Sequence, residues 1–184
     1  MKISQILLPS FTIFFQLQLF LLLSSTQLNG QPIRVKIGGT RLPASNSKSV
    51  KLISRKHTLF VSIDQSGKVS AVVNCKNNYT DLEMSTVGVG GLVTIKGVQS
   101  GRFLAMNSAG QIYSTKKVTD ETVFKNTQLT NGWETFASEK YYISRYYDAF
   151  LAITRAGKTK NAKKTNQNNK ASQFLVITSS TCQK

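Results

Sequence analysis

At 184 residues, with 24 Lys and Arg against 8 Asp and Glu, the chain carries a formal charge of +16. It is the size of one domain with one core, and so large a cationic excess calls for a polyanionic partner: nucleic acid, an anionic membrane or a sulfated polysaccharide. A single histidine, His57, and the lack of any Cys-x-x-Cys argue against a zinc site, and two cysteines do not make a disulfide scaffold, so the fold must rest on its hydrophobic core.

In chain order, residues 1–30 open with Met1-Lys2, pass through the apolar ILL and FTIFFQLQLFLLL, and end in Ser24-Ser25-Thr26. That order of basic, apolar and polar regions describes a cleaved secretory signal peptide. A retained membrane anchor is the alternative, but Gln16 and Gln18 interrupt the apolar run and leave it short for a span. Cleavage between Ser25 and Gln31 removes only one charge, that of Lys2, and releases a protein with no stable membrane insertion. Outside the cell a basic protein meets glycosaminoglycans first, which makes heparan sulfate the leading polyanion.

Residues 31–49 hold Pro32, Pro43, Gly38 and Gly39 without a sustained apolar period, and read as a flexible arm. From Val50 the texture becomes alternating, and one figure occurs three times: FVSIDQSGKV from Phe60, FLAMNSAGQI from Phe103 and FLAITRAGKT from Phe150. In each, an aliphatic residue or Met stands three places after the Phe and a glycine seven places after it: Gly67, Gly110 and Gly157. This is the hairpin pattern of period-two apolar residues around a Gly-containing turn. The Phe spacings of 43 and 47 make each period one supersecondary unit. Three units of four short strands, with no convincing amphipathic helix, predict an all-β domain over residues 50–178. A propeller needs at least four blades and a solenoid needs caps, so a β-trefoil of three pseudo-symmetric four-stranded repeats fits best. An irregular β-barrel is the plainer alternative. Residues 179–184 are left as a C-terminal tail.

In an oxidising compartment Cys75 and Cys182 can pair, stay free or pair between chains. Asn78-Tyr79-Thr80 is an N-glycosylation acceptor at Asn78.

From Ala149 onward there is no acidic residue, while Arg155, Lys158, Lys160, Lys163, Lys164 and Lys170 crowd together. No Val, Leu, Ile or Met occurs between residues 158 and 173, so this stretch reads as a loop whose charges can converge on one surface. Several charge-assisted contacts suit a sulfated glycan, with amides such as Gln167 and Asn169 adding directional hydrogen bonds. A solvated run that only aids solubility would normally mix signs, and this one does not. Binders of single-stranded nucleic acid interleave aromatic residues with the cations; residues 155–170 contain none, which counts against nucleic acid. Catalysis has little to work with. Asp120 and Glu121 are adjacent, and in an extended segment they would face opposite ways; neither an enzyme nor a cofactor is expected.

The segment VTIKGVQSGRFLAMNSAGQIYSTKKVTDETVF from Val93, followed by NGWETFASEKY from Asn131, closely resembles the fibroblast growth factor family, and the resemblance extends over residues 50–177. It implies a β-trefoil ligand that binds and dimerises a cell-surface receptor tyrosine kinase, with heparan sulfate as co-receptor. It places Arg155, Lys160, Lys164, Asn169 and Lys170 in the heparin-contacting loop, joined by Lys56. It places Trp133 at the aromatic position of a receptor-contacting turn, with Asn131 two residues before it, although a lone Trp is more often a core residue. Leu175, Ile177 and Ile53 match further receptor contacts. The chain departs from the family where Asn126 replaces a frequent Glu, where Val73 lies near a frequent Arg, and where Thr122 and Ser54 replace frequent cysteines. The sequence Asn166-Gln167-Asn168-Asn169-Lys170 also stands in for a Gly- and Pro-containing turn. A trefoil lectin or inhibitor lacks support because no Gln-x-Trp repeat is present, and the leader opposes an intracellular role. A secreted heparin-binding module that does not signal through the usual receptor remains the alternative.

Overall fold

The computed structural model describes residues 34–37, 40–142 and 149–182, with side chains from residue 45 onward. The leader expected over residues 1–30 lies outside the described residues. Eleven strands follow in order: β1 Arg34–Ile37, β2 Thr40–Ser54, β3 Phe60–Ile63, β4 Val69–Val72, β5 Leu82–Val87, β6 Leu92–Gly97, β7 Phe103–Met106, β8 Ile112–Thr115, β9 Phe124–Gln128, β10 Glu134–Ser138 and β11 Phe174–Thr178.

The strands close on themselves. β2 pairs with β5, β5 with β6, β6 with β9, β9 with β10, β10 with β11, and β11 returns to β2, a six-stranded antiparallel barrel with no free edge in the ring. Two hairpins, β3–β4 and β7–β8, attach to it. The third unit keeps its hairpin only as the single bridges Ala137↔Phe150 and Ile153↔Thr159. Two units therefore carry four strands, and the third carries β10 and β11 with bridges between them.

The alternating residues meet inside. Leu52, Ile63, Leu82, Ile95, Leu104, Met106, Phe124, Phe136, Leu151, Ile153 and Phe174 are wholly buried, each contributing about 1.5–3 kcal/mol of transfer free energy. The rings of Phe136 and Phe174 pack tilted at 6.0 Å.

The three sequence figures fold into the same turn. Gly67, Gly110 and Gly157 all have positive φ, and each donates its N–H to a carbonyl three residues back, that of Asp64, Asn107 or Thr154. The side chains of those three residues accept the N–H of Lys68, Gln111 and Lys158 at 2.9, 3.0 and 3.1 Å. The turns also interlock in a cycle. The Ser114 hydroxyl donates to the carbonyl of Gly67 at 2.7 Å, the Ala162 N–H to that of Gly110 at 2.8 Å, and the Ala71 N–H to that of Gly157 at 2.7 Å. Each unit thus grips the turn of another. At Gly157 the approach is closest, since a β-carbon there would stand 2.2 Å from the Ala71 carbonyl oxygen at a φ of +71°; only glycine fits.

Three expectations need correction. The flexible arm is in part a strand: β2 starts at Thr40, and Ser47, Lys48 and Ser49 lie opposite Ser85, Met84 and Glu83 of β5. Residues 45–49 are exposed, so this stretch of β2 has no buried face to print an apolar period; backbone pairing with β5 and hydroxyl bonds from Ser47 to Ser85 and from Ser49 to Ser179 hold it. The tail is also partly ordered: Ser179–Cys182 form a 3-10 turn, with Ser179 buried and accepting a hydrogen bond from Ser49 at 3.1 Å. Finally, Asp120 and Glu121 stand in the 3-10 turn Asp120–Thr122 and not in an extended segment.

Candidate functional site

The basic stretch is a shaped loop. It leaves the third hairpin at Lys158, makes the 3-10 turns Ala162–Lys164 and Lys170–Ser172, and enters β11. Asn161 and Asn169 cap the two turns, accepting the N–H groups of Lys163 and Ala171 at 3.0 Å each. Small residues anchor the underside. Ala162 and Thr165 are buried, and the Thr165 hydroxyl bonds the backbone of Phe150 and the carbonyl of Ala162. The Gln173 amide donates to the Gln167 carbonyl at 2.9 Å, and the Asn161 amide to the Ala109 carbonyl at 3.0 Å. With its small residues turned in, the loop leaves Arg155, Lys158, Lys163, Lys164 and Lys170 exposed and Lys160 partly so. Among the described residues the ion pairs are Lys51–Asp81 and Lys140–Glu121, and neither touches this loop.

Lys56 joins the loop through the backbone. It lies in the turn after β2, where the Arg55 N–H donates to the Gln173 carbonyl at 2.8 Å, beside the turn that carries Lys170. Asn169 is half-buried and its carbonyl oxygen is committed as a cap, which leaves the amide nitrogen as the donor it can offer an anion.

The apolar candidates assemble on the barrel wall. Ile53 of β2 stands opposite Leu175 of β11, and Glu134 of β10 opposite Phe174. Trp133 lies one residue before β10, in the turn next to that pair, so Ile53 and Leu175 stand on neighbouring strands with Trp133 at the end of the next. Ile177 follows Leu175 on the same face by the two-residue period. Leu175 is 40 % exposed, and Ile53, Trp133 and Ile177 are half-buried. Trp133 is thus outside the core. The exposed Asn131 holds its turn, accepting the Trp133 N–H at 3.2 Å, while the Trp133 carbonyl accepts from the Leu129 N–H at 2.7 Å.

Two residues that the sequence reading passed over complete the surface. Arg55 places its guanidinium 5.2 Å from the Trp133 ring centroid and donates to the Gln173 side chain at 2.5 Å, joining the apolar wall to the basic loop. Glu134 accepts from the Asn126 amide at 2.6 Å. Asn126 therefore does not leave this place without a carboxylate, because the adjacent strand supplies one. Both line a groove of about 430 Å³ with Lys48, Thr86 and Gln128. Register could have found Glu134, since Asn126 and Glu134 straddle one tight turn, and proximity to Lys56 could have found Arg55. Val73, near the family's frequent Arg, is 78 % exposed. Of the two former cysteine positions, Thr122 caps its own turn through Thr119, and Ser54 buries a hydroxyl with no partner.

Elsewhere the charges serve structure. Lys51 is buried, paired with Asp81 at 2.7 Å and bonded to the Thr80 hydroxyl at 2.9 Å. Glu121 accepts the hydroxyls of Tyr113 and Tyr141 at 2.5 Å each. Burial works to raise the Glu121 carboxyl, yet the two hydroxyls and Lys140 hold it below the usual value. Tyr113 is pushed up to about 12 by burial and by Glu121. Among the described residues no group of three or more His, Cys, Asp or Glu could hold a metal, and no helix is long and apolar enough to cross a membrane.

A closed six-stranded all-β barrel with attached hairpins is consistent with a β-trefoil. The fibroblast growth factor family model matches residues 48–175, and the chain belongs to that family. It is 39 % identical over 118 residues to fibroblast growth factor 7 of Cervus elaphus and 38 % identical to that of Homo sapiens, matches covering 64 % of this chain and 60 % of each relative. Fibroblast growth factor 10 of Mus musculus is 30 % identical over 65 % of this chain and 56 % of its own length, and fibroblast growth factor 2 of Xenopus laevis is 30 % identical over 73 % and 83 %. The chain therefore spans about three fifths of the growth factor 7 relatives it matches.

Proposed function

We propose that this chain is a secreted growth factor that binds and activates a fibroblast growth factor receptor tyrosine kinase, with heparan sulfate as co-receptor. The observation that carries the reading is the continuity of two surfaces. Ile53, Leu175, Ile177 and Trp133 offer apolar anchors of the kind found at binding hot spots, and Arg55 ties them to the basic loop. One glycan laid on Lys56, Arg155, Lys158, Lys160, Lys163, Lys164, Asn169 and Lys170 would run beside a receptor seated on the wall. Such contacts weaken with salt, because exposed charges are screened beyond about 8–10 Å at physiological ionic strength.

The same reading assigns residues 1–30 to export and Asn78 to N-glycosylation. Asn78 is exposed, but the Thr80 hydroxyl of its acceptor motif is buried and bonded to Lys51 and to the Asn77 carbonyl, so the glycan would be added before the domain folds. It also treats the barrel and hairpins as three pseudo-symmetric units, supported by the cyclic grip on Gly67, Gly110 and Gly157. The test is receptor phosphorylation on responsive cells, with and without added heparin. Phosphorylation enhanced by heparin is expected; retention on heparin with no receptor phosphorylation would overturn the reading in favour of a binding module that does not signal.

A further inference from the structure

The two cysteines lie 107 positions apart in the chain, yet the fold brings them to one place. Cys75 follows β4 and ends up beside the start of the 3-10 turn Asn78–Thr80, where its carbonyl accepts from the Thr80 hydroxyl at 3.2 Å. Cys182 closes the 3-10 turn Ser179–Cys182, which the pairing of Thr178 with Val50 and the bond between Ser49 and Ser179 lay against the start of the barrel. Both side chains line one cavity of about 200 Å³, together with Lys51, Lys76, Asn78 and Asp81. Each is half-buried.

We propose that Cys75 and Cys182 are a disulfide-forming pair that staples the 3-10 turn after β11 to the first unit of the barrel, beside the ion pair of buried Lys51 with half-buried Asp81. The chemistry is exchange with a small disulfide such as oxidised glutathione. One cysteine thiolate attacks a sulfur of that oxidant and expels a glutathione thiolate, leaving a mixed disulfide. The second thiolate attacks the cysteine sulfur of the mixed disulfide, forms the Sγ–Sγ bond and releases the second glutathione. Two S–H bonds become one S–S bond, the two protons pass to the released thiolates, and two electrons reduce the oxidant. The Cys182 thiol is held above its ordinary value, first by the neighbouring Cys75 thiol and then by burial, so exchange quickens as pH rises. No third cysteine competes, and the neighbouring groups give no metal-binding set among the described residues.

The inference stands on the fold and is independent of receptor activity. Purified full-length protein, equilibrated with oxidised and reduced glutathione and then alkylated, should be monomeric, lighter than the reduced protein by two hydrogens and free of alkyl label. Proteolysis should yield one peptide joining Cys75 to Cys182. Reduction should lower the melting temperature by roughly 10 °C, as closing a long loop implies, and should leave the double variant Cys75→Ser/Cys182→Ser unmoved. Cys75→Ser and Cys182→Ser alone should each leave one thiol open to alkylation. Two alkylated thiols in the oxidising buffer, a stable glutathione adduct on both residues, or a dimer joined between chains would overturn the proposal, whether or not the protein activates a receptor.

Discussion

The turn at Gly157 and the turn at Gly132 both require positive φ, at +71° and +80°, yet they belong to different parts of the molecule. Around Gly157 a β-carbon would strike the Ala71 backbone, whereas around Gly132 nothing lies within 4 Å. The first is a joint between units of the scaffold. The second is the open turn that presents Trp133. A substitution at the first must displace backbone, whereas one at the second meets only the strain of its own φ.

Four predictions probe that contrast, from the largest effect to the smallest. Phe136→Ala should cost about 4 kcal/mol in chemical denaturation, because it empties a fully buried ring site beside Phe174. Gly157→Ala should cost about 3 kcal/mol, combining backbone strain with overpacking, while Gly132→Ala should cost only about 1 kcal/mol from strain alone; equal losses would erase the distinction between the two turns. Trp133→Ala should weaken receptor binding by about 2 kcal/mol, or roughly thirtyfold, with little change in melting temperature, whereas a large drop in that temperature would place Trp133 in the core. Lys160→Glu with Lys164→Glu should change stability by less than about 0.5 kcal/mol while moving elution from immobilised heparin to lower salt. Equal loss of retention on reversing Lys116 and Lys117, the exposed pair after β8, would defeat the idea of a localised site.

The half-buried Tyr113 offers a pH test of the scaffold side. The folded Tyr113 pKa of about 12 lies above the ordinary value of 10.0, so the folded state holds its proton longer than the unfolded state does. Its contribution is full below pH 10 and is lost as pH rises from 10 to about 12. Glu121 has the opposite sign: its lowered pKa makes its contribution present at neutral pH and lost in acid. Stability measured against pH should show a smaller alkaline fall in Tyr113→Phe, because Tyr141, also held up by Glu121, still contributes, and an unchanged fall in Lys160→Glu.

What could be read from the amino acids follows the same division. The three figures led by Phe60, Phe103 and Phe150 were legible because each must bury the same face and turn at the same glycine. The polar stretch of β2 was not, since its residues 45–49 alternate nothing and are held by pairing with β5 and by the hydroxyl bonds of Ser47 and Ser49. The basic loop was legible as charge, but its two 3-10 turns were not, because capping by Asn161 and Asn169 is a local choice that leaves no periodic trace. Arg55 and Glu134 were missed for a different reason. Each acts through a residue on another segment, Trp133 or Asn126, and only the strand register brings those partners within reach.

The central claim is that receptor and glycan contacts occupy adjoining but separable surfaces. The most direct measurement compares Trp133→Ala with Lys160→Glu/Lys164→Glu for two affinities, to immobilised heparin and to the receptor ectodomain without heparin. The account predicts that the first variant keeps heparin affinity and loses receptor affinity, and that the second does the reverse. Parallel loss of both affinities in both variants would contradict it.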